Sequence, residues 1–324
     1  MNERERFLAT LLGGEVDRFP FFDLEPADDT VARWWREGLP NGVSVAEFFG
    51  LEVHHSVGLE IRSAPFYSQA PDLLNDADAF RRHYDVNDPD RYPKGFARIC
   101  RRARREGRVV FVNASGGGLL QMLGVGDWES LTAACIALVE RPKEVEALFE
   151  KTADFYCTCL DRVLSEVTVD YASFYEPIAS NAGPVVSPEM FRRFSLPVYE
   201  KVIDLLERHS VPLRILCTTG GDLSSLLPSL IDAGINGLWI SNIASTRMQY
   251  AALRREYGPG IALIGGIDAT SLTKDERAVE RAVLDTVPPL LEDGAYLPCL
   301  DDRPRANVPF ALYRHYRSVL DALA

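Results

Sequence analysis

From about residue 108 onward, short runs of β-branched and aromatic residues alternate with longer amphipathic stretches. Such alternation is typical of repeated strand–helix units, and the continuous apolar runs predict parallel strands that are covered on both faces. Two further strands are predicted upstream, at Arg18–Asp23 and Glu52–Val57. The predicted strands of the alternating part are Val109–Asn113, Tyr171–Tyr175, Leu213–Cys217, Gly237–Ile240, Ile261–Ile264 and Tyr296–Cys299.

Eight strands with helices between them predict an α/β fold of the closed (β/α)8 TIM-barrel type, with an open doubly wound sheet as the alternative. Ser187 and Pro188 supply a helix start, and the apolar period of that helix runs to Leu206. The chain of 324 residues has no Ser/Gly linker, which predicts a single barrel domain over residues 1–324. The segment from Pro26 to Gly107 is longer than one strand–helix unit needs, which predicts an N-terminal extension over the barrel mouth.

The charge balance and the apolar segments restrict the partners and the compartment. The chain has 35 Lys and Arg against 47 Asp and Glu, a formal charge of -12, which is the wrong sign for binding phosphates. We therefore expect no nucleic-acid partner. No membrane span or signal peptide is visible, which predicts a cytoplasmic protein without a membrane partner. The 6 cysteines form no CxxC pair, so neither a disulfide framework nor a zinc knuckle is indicated.

In a barrel, the reactive groups lie at the carboxyl ends of the strands. The carboxylates Asp23, Glu176 and Asp302 stand at such ends and are the predicted catalytic residues. Glu176 follows an apolar strand, so burial is expected to raise the pKa of its carboxyl toward a range that suits acid–base catalysis. The alternative is that Glu176 pairs with an arginine such as Arg303. The residues expected to bind substrate are His54, Asn113, Ser115, Thr219, Asn242, Asp268 and Arg303.

Two glycine runs follow predicted strands. The run Ser115–Gly118 precedes a helix, so its backbone amides can cradle an anion, but a close turn explains the glycines equally well. The pair Gly265–Gly266 leaves the same choice between a ligand that approaches the backbone and a strand-end turn. The sequence contains no HExxH and no GxSxG, which gives no support to a zinc protease or an α/β-hydrolase.

Four segments of the chain, in this order, carry a resemblance to a known protein family. The first two are the opening ERFLATLLGGEVDRFPFF and the stretch SPEMFRRFSLPVYEKVIDLLERHSVPLRILCTTGGDLSSLLPSLIDAGINGLWI. The last two are ALIGGIDATSL and GAYLPCLDDRPRANVPFALYRHYRSVL. They resemble the start, the helix, strand and glycine turn, and the later strands and closing helix of the uroporphyrinogen decarboxylase superfamily, which includes corrinoid-linked methyltransferases. The resemblance implies a single (β/α)8 barrel, in agreement with the alternation of strands and helices.

The resemblance also allows a comparison of two activities of the superfamily, decarboxylation and methyl transfer. Uroporphyrinogen decarboxylases carry an Arg-Gln-Ala-Gly-Arg phrase after the first strand, where guanidinium groups pair with the carboxylates of the substrate. At this place the chain reads FFDLEPADD. Its four acids would repel a polycarboxylate, so uroporphyrinogen decarboxylation is disfavoured. The four acids are Asp23, Glu25, Asp28 and Asp29.

In the methyltransferase branch, the resemblance implies a zinc ion held by a His-x-Cys pair and a distal Cys. In this chain Cys217 occupies the His place, Thr219 occupies the Cys place, and Asp302 lies near the place of the distal Cys. Cys217, Glu176 and Asp302 are therefore the candidate ligands of a more oxygen-rich zinc site. A corrinoid carried by a partner protein is the second cofactor that the resemblance implies.

The resulting prediction is a methyltransferase that moves a methyl group between a small methylated donor and a corrinoid or thiol acceptor. The alternatives are a decarboxylase of a porphyrinogen-like or other carboxylated substrate, and a non-catalytic barrel that binds a small molecule. The expected partners are the small-molecule substrate and a corrinoid protein.

Overall fold

The computed structural model of the protein describes residues 1–61, 78, 82–115, 118–180, 182–218, 220–241 and 248–324. The strands are β1 (His55–Ser56), β2 (Val110–Asn113), β3 (Tyr171–Tyr175), β4 (Ala179–Ser180), β5 (Gly183–Pro184), β6 (Leu213–Thr218), β7 (Gly237–Ile240), β8 (Ala262–Gly265) and β9 (Tyr296–Leu297). The helices are α1 (Glu3–Leu11), α2 (Asp28–Glu37), α3 (Val45–Phe49), α4 (Phe96–Arg105), α5 (Gly118–Met122), α6 (Trp128–Glu140), α7 (Pro142–Leu164), α8 (Pro188–Phe194), α9 (Leu196–Arg208), α10 (Leu227–Asp232), α11 (Tyr250–Tyr257), α12 (Glu276–Asp293) and α13 (Phe310–Asp321). Short 3-10 turns lie at Pro89–Arg91, Gly258–Gly260 and Ala269–Thr273.

The chain divides into two compact units. The first unit comprises Met1–His54, Gly107–Val109 and Gly237–Ala324. The second unit comprises His55–Glu106 and Val110–Asn236. The single domain over residues 1–324 stays a prediction.

The second unit contains a parallel sheet in the order β1-β2-β3-β6. Tyr171 of β3 lies opposite Phe111 of β2 and Leu213 of β6, which fixes the register of the three longer strands. Helices α7 and α9 pack together, and Phe174 of β3 stacks on Tyr199 of α9 with ring centroids 5.3 Å apart. Because the strands are parallel, the carboxyl ends of β2, β3 and β6 meet at one edge of this sheet.

The first unit contains the parallel strands β7, β8 and β9. Tyr250 of α11 joins two of them, because its hydroxyl accepts a hydrogen bond from the Ile240 amide at 3.0 Å and donates to the Ile264 carbonyl. Gly266 gives this ring its space: a Cβ there would lie 2.6 Å from the Tyr250 ring. Of the two interpretations of Gly265–Gly266, the structure supports the strand-end turn.

The parallel strand–helix organisation that the alternating pattern predicts is confirmed. Strands β3 and β7 have the predicted bounds, and β2 and β6 differ from theirs by one residue at one end. Strand β8 is shifted by one residue, and β1 and β9 are shorter than predicted. None of the helices in the described part of the chain is long and apolar enough to cross a membrane.

Two predicted elements are wrong in detail. Residues Arg18–Asp23 form no strand, and their Pro20 lacks the amide donor that a strand ladder requires. The helix predicted from Ser187 to Leu206 is two helices, α8 and α9, which meet at Ser195. Pro197, in the first turn of α9, has no amide hydrogen to continue the hydrogen bonds of α8.

Candidate active site

Glu176 directly follows β3, at the carboxyl-end edge of the sheet of the second unit, and only 1% of its surface is exposed. Its Oε2 accepts a hydrogen bond from the Tyr199 hydroxyl at 2.8 Å. The Leu119 amide, in the first turn of α5, lies 3.2 Å from both carboxyl oxygens. Burial raises the pKa of Glu176 from 4.5 to about 7, although the Tyr199 and Leu119 hydrogen bonds oppose this shift. The carboxyl therefore exchanges a proton near neutral pH.

The Leu119 amide directly follows Ser115–Gly118, the run for which the sequence predicts an anion cradle or a close turn. The group that this amide binds belongs to the chain itself, because it is the carboxyl of Glu176. Gly118 adopts φ +77, and a Cβ there would lie 2.4 Å from Glu176 Oε1. The glycine is therefore needed both for a left-handed backbone and for the approach of the carboxyl. Gly116 and Gly117 lie outside the described residues.

Replacing Gly118 with alanine is expected to destabilise the protein by about 1–3 kcal/mol beyond the cost of the positive φ, because the added methyl overpacks the Glu176 carboxyl. Urea unfolding measures this loss. The matched control is Gly42→Ala, since Gly42 has φ +81 and no atom within 4 Å of its Cβ position. Equal losses of stability in the two variants would contradict the close contact between Gly118 and Glu176.

A small cavity lies beside Tyr199, on the helix side of the sheet. Its volume is about 10 Å³, which is room for one water molecule, and Ser115, Gly118, Tyr156 and Tyr199 are among its lining residues. The Ser115 hydroxyl accepts from the Tyr175 amide at 2.7 Å and donates to the Tyr175 carbonyl at 3.2 Å. Ser115 thus holds the backbone of the residue that precedes Glu176.

The opposite face of the same sheet carries Cys217. Tyr175 and Cys217 are partners in the register of β3 and β6, so their side chains share one face. Glu176 lies with Phe174 and Tyr199 on the helix side, although its amide donates to the Cys217 carbonyl at 3.0 Å. The structure therefore brings Glu176 and Cys217 to the same strand ends but directs their side chains to different faces.

Burial raises the pKa of the Cys217 thiol to about 12. The thiol is therefore protonated at neutral pH, and thiolate is the form that attacks carbon or binds a metal. Asn113, at the end of β2, is exposed and accepts a hydrogen bond from the Ser115 amide at 3.2 Å. Cys217 and Asn113 are thus neutral groups at the strand ends of the second unit.

Asp23 lies in a closed network of the first unit. Its Oδ1 accepts from the Leu300 amide at 2.9 Å and the Tyr316 hydroxyl at 3.1 Å. Its Oδ2 accepts from Arg317 at 3.0 Å and the Tyr313 hydroxyl at 3.2 Å. Burial raises the pKa of the Asp23 carboxyl, whereas the Arg317 guanidinium and the Leu300 amide oppose this. The four donors tie the segment before α2 to helix α13 and to the chain after β9.

The other predicted residues of the first unit are more peripheral. Asp302 accepts from the Arg303 amide at 2.8 Å and pairs with Arg305 at 2.7 Å. Asp268 accepts from the Thr270 amide at 2.8 Å, and the Arg303 side chain is exposed. His54 stacks on Phe22 with ring centroids 4.4 Å apart. Thr219 and Asn242 lie outside the described residues.

The predicted zinc site gains no support from the geometry. Within the described ranges, no group of three or more His, Cys, Asp or Glu side chains could hold a metal ion. A protein zinc site needs three or four such ligands at spatially adjacent positions. The described residues therefore provide no set that fits zinc, and Cys217, Glu176 and Asp302 stay predicted ligands.

The search for polar residues at strand ends missed two residues of these sites, because both lie on helices. Tyr199 lies near the start of α9, 23 residues from Glu176. Arg317 lies in the last helix, 294 residues from Asp23. Their only sequence signal is their position on the apolar face of an amphipathic helix, which predicts burial but no particular partner.

Comparison with known protein families supports the resemblance. The sequence profile described as Uroporphyrinogen decarboxylase (URO-D) matches residues 50–294, about three quarters of the chain. The matched range includes Glu176, Tyr199 and Cys217. A search of curated proteins found no significant match to the chain.

Proposed function

Because the chain belongs to the uroporphyrinogen decarboxylase (URO-D) family, we propose that it is an enzyme that transfers a methyl group from a small methylated donor to a thiol or corrinoid acceptor. The observation that carries this proposal is the buried Glu176 carboxyl at the strand ends, with its pKa near 7. A carboxyl in this state can give up a proton at neutral pH and take it back afterwards.

The proposed reaction requires one proton for the leaving group. The nucleophile uses its electron pair to form a new bond to the methyl carbon. The bond between that carbon and the heteroatom of the donor breaks, and its electron pair stays on the heteroatom. Glu176 gives its proton to this heteroatom and becomes a carboxylate, which the Tyr199 hydroxyl and the Leu119 amide stabilise through the hydrogen bonds they already donate.

The acceptor comes from outside the chain in this proposal, since Cys217 is a neutral thiol. A corrinoid carried by a partner protein would supply a strongly nucleophilic metal centre, and a small thiol would supply a sulfur nucleophile. We route no step through zinc, because the described residues do not assemble a set of ligands for it.

Decarboxylation of uroporphyrinogen is less well supported. Residues 19–32 contain no arginine that could pair with substrate carboxylates. The repulsion argument from the four acids needs correction, because Asp23 is buried against Arg317. Asp28 and Asp29 begin helix α2, where acids favour the helix dipole, and Glu25 remains an exposed acid. The missing guanidinium groups, rather than an excess of acids, therefore disfavour the polycarboxylate.

The closed eight-stranded barrel, the N-terminal extension over its mouth, a single domain and a cytoplasmic location belong to the same proposal. The family match and the parallel strand–helix organisation support the barrel.

The test is to incubate the pure protein with deuteromethyl ethers, thioethers and amines, each with 2-mercaptoethanol or cob(I)alamin as acceptor. We expect methyl transfer from at least one donor, and a loss of about 10²–10⁴-fold in the Glu176→Gln variant, which has no acidic proton. The control is Glu150→Gln, an exposed acid of α7. Release of CO2 from carboxylated compounds without methyl transfer would replace the proposal with decarboxylation. No turnover in either assay would favour the binding protein.

A further inference from the structure

Helix α6 of the second unit is apolar on its outer side as well as on its inner side. The inner side packs on α7, and Ala137 and Leu138 are among its buried residues. The outer side exposes three large apolar side chains, since Trp128 is 84%, Ile136 50% and Val139 71% exposed. A surface helix of a globular protein normally turns polar residues outward. The outer side of α6 is therefore an exposed apolar surface that calls for a partner.

The outward residues of α6 form one continuous stripe. Trp128, Thr132, Cys135 and Val139 follow one another at spacings of four, three and four residues, and all of them are exposed. These spacings place side chains along a single face of a helix. Ile136 is next to Cys135 and widens this face. We call these five residues the α6 stripe, which extends over three helical turns, or about 16 Å.

The size of the α6 stripe fits one helix of a partner. Its three large side chains expose on the order of 400 Å² together, whereas each partner of a stable protein–protein complex buries about 800 Å². A surface that is three turns long and one helix wide matches the contact between two packed helices. The area therefore favours a single docked helix over a broad interface between two globular surfaces.

The charges beside the α6 stripe are acidic. Helix α6 contains no Lys or Arg, and its charged residues are Glu129 and Glu140, which are both exposed. They are eleven residues apart, close to three full turns, so they lie on the same edge of the stripe. Arg141, the first cation after the helix, pairs with Glu144. A partner helix is therefore favoured by Lys or Arg along the edge that meets Glu129 and Glu140.

A second copy of α6 is a poorer partner for the same surface. In an antiparallel pair on a two-fold axis, the acidic edges of both helices lie on the same side of the interface. Glu129 of one copy then approaches Glu140 of the second copy, and the like charges repel each other. In a parallel pair the two helix dipoles lie side by side in the same direction, which is also unfavourable.

From these observations we infer that the α6 stripe is the docking surface for a helix of another protein, whose own apolar stripe is flanked by Lys or Arg. Trp128 is the anchor, because it has the largest exposed fraction of the stripe and Trp is enriched among the residues that dominate binding energies. The inference is independent of the proposed methyl transfer, since the α6 stripe contains none of the groups that contact Glu176.

The experiment titrates two synthetic helical peptides of the length of α6 into the full chain by calorimetry. Both peptides carry the same leucine stripe, and their remaining positions are lysine in one and glutamate in the other. At 0.15 M salt, where charges are screened beyond about 8 Å, we expect the lysine peptide to bind at least about tenfold more tightly. Trp128→Ser should weaken its binding by at least about tenfold. Replacing both Glu129 and Glu140 with glutamine should reduce the preference for lysine by about three- to tenfold.

Leu284→Ser is the matched control for Ile136→Ser, because Leu284 is 48% exposed and lies on α12 of the first unit. We expect Ile136→Ser to weaken binding of the lysine peptide by about threefold or more and Leu284→Ser to leave it unchanged. Circular dichroism checks that each variant is folded. Equal affinity for the two peptides, or equal effects of the two serine variants, would overturn the inference. A wild-type dimer that Trp128→Ser converts into a monomer would also overturn it, because a second copy would then cover the stripe.

Discussion

Replacing Asp23 with asparagine is expected to lower the free energy of unfolding by about 3–5 kcal/mol, because the buried Arg317 guanidinium then loses its ionic partner. Both side chains of this ion pair are at most 2% exposed, so water cannot replace the carboxylate. Arg317 keeps its contact with Asp321 at 2.5 Å, which favours the lower end of this range. Urea unfolding at pH 7 measures the effect.

The matched control is Asp302→Asn, which removes a carboxylate from a pair whose Arg305 side chain is 67% exposed. Such a surface ion pair contributes about 0–1 kcal/mol to the free energy of unfolding. The double variant Asp23→Asn with Arg317→Leu is expected to recover part of the loss, since it leaves no unpaired guanidinium. If Asp23→Asn is as stable as Asp302→Asn, the network around Asp23 does not hold α13 in place.

The strands were the most predictable part of this fold. Gly237–Ile240 and Tyr171–Tyr175 are short apolar runs between polar segments, and a run of this kind is stable as a strand wherever it is covered on both faces. The run at Arg18–Asp23 has a similar composition but contains Pro20, and it forms no strand. Composition thus predicts burial, whereas the interior of a sheet also needs an amide donor at the positions that form the ladder.

The site was predictable only in part. The position of Glu176 after a strand gives its place at the sheet edge and the raised pKa of its carboxyl. The face toward which its side chain points depends on the register between β3 and β6 and on the packing of α9, and neither is visible in local sequence. For the same reason the sequence could not show that Glu176 and Cys217 lie on different faces.

The buried Glu176 should also make stability depend on pH in a direction opposite to that of a salt-bridged acid. In the folded protein its pKa is about 7, against 4.5 for an ordinary glutamate. Between these two values the folded state holds a proton that the unfolded chain has released. The contribution of Glu176 to the free energy of unfolding is therefore largest below pH 4.5. It declines as the pH rises to about 7 and stays constant above that pH.

The Glu176→Gln variant cannot lose this proton, so its stability relative to the wild type should increase across the same interval. From pH 4.5 to about 7, at about 1.36 kcal/mol per pH unit, the relative gain is about 3 kcal/mol. Urea unfolding of both proteins from pH 4 to 9 measures the difference, in which the other titrating groups cancel. The control is Glu150→Gln, which changes an exposed acid of α7. A flat difference for Glu176→Gln would mean that the folded and unfolded chains bind this proton equally, and Glu176 would then be a buried anion instead of a proton donor at neutral pH.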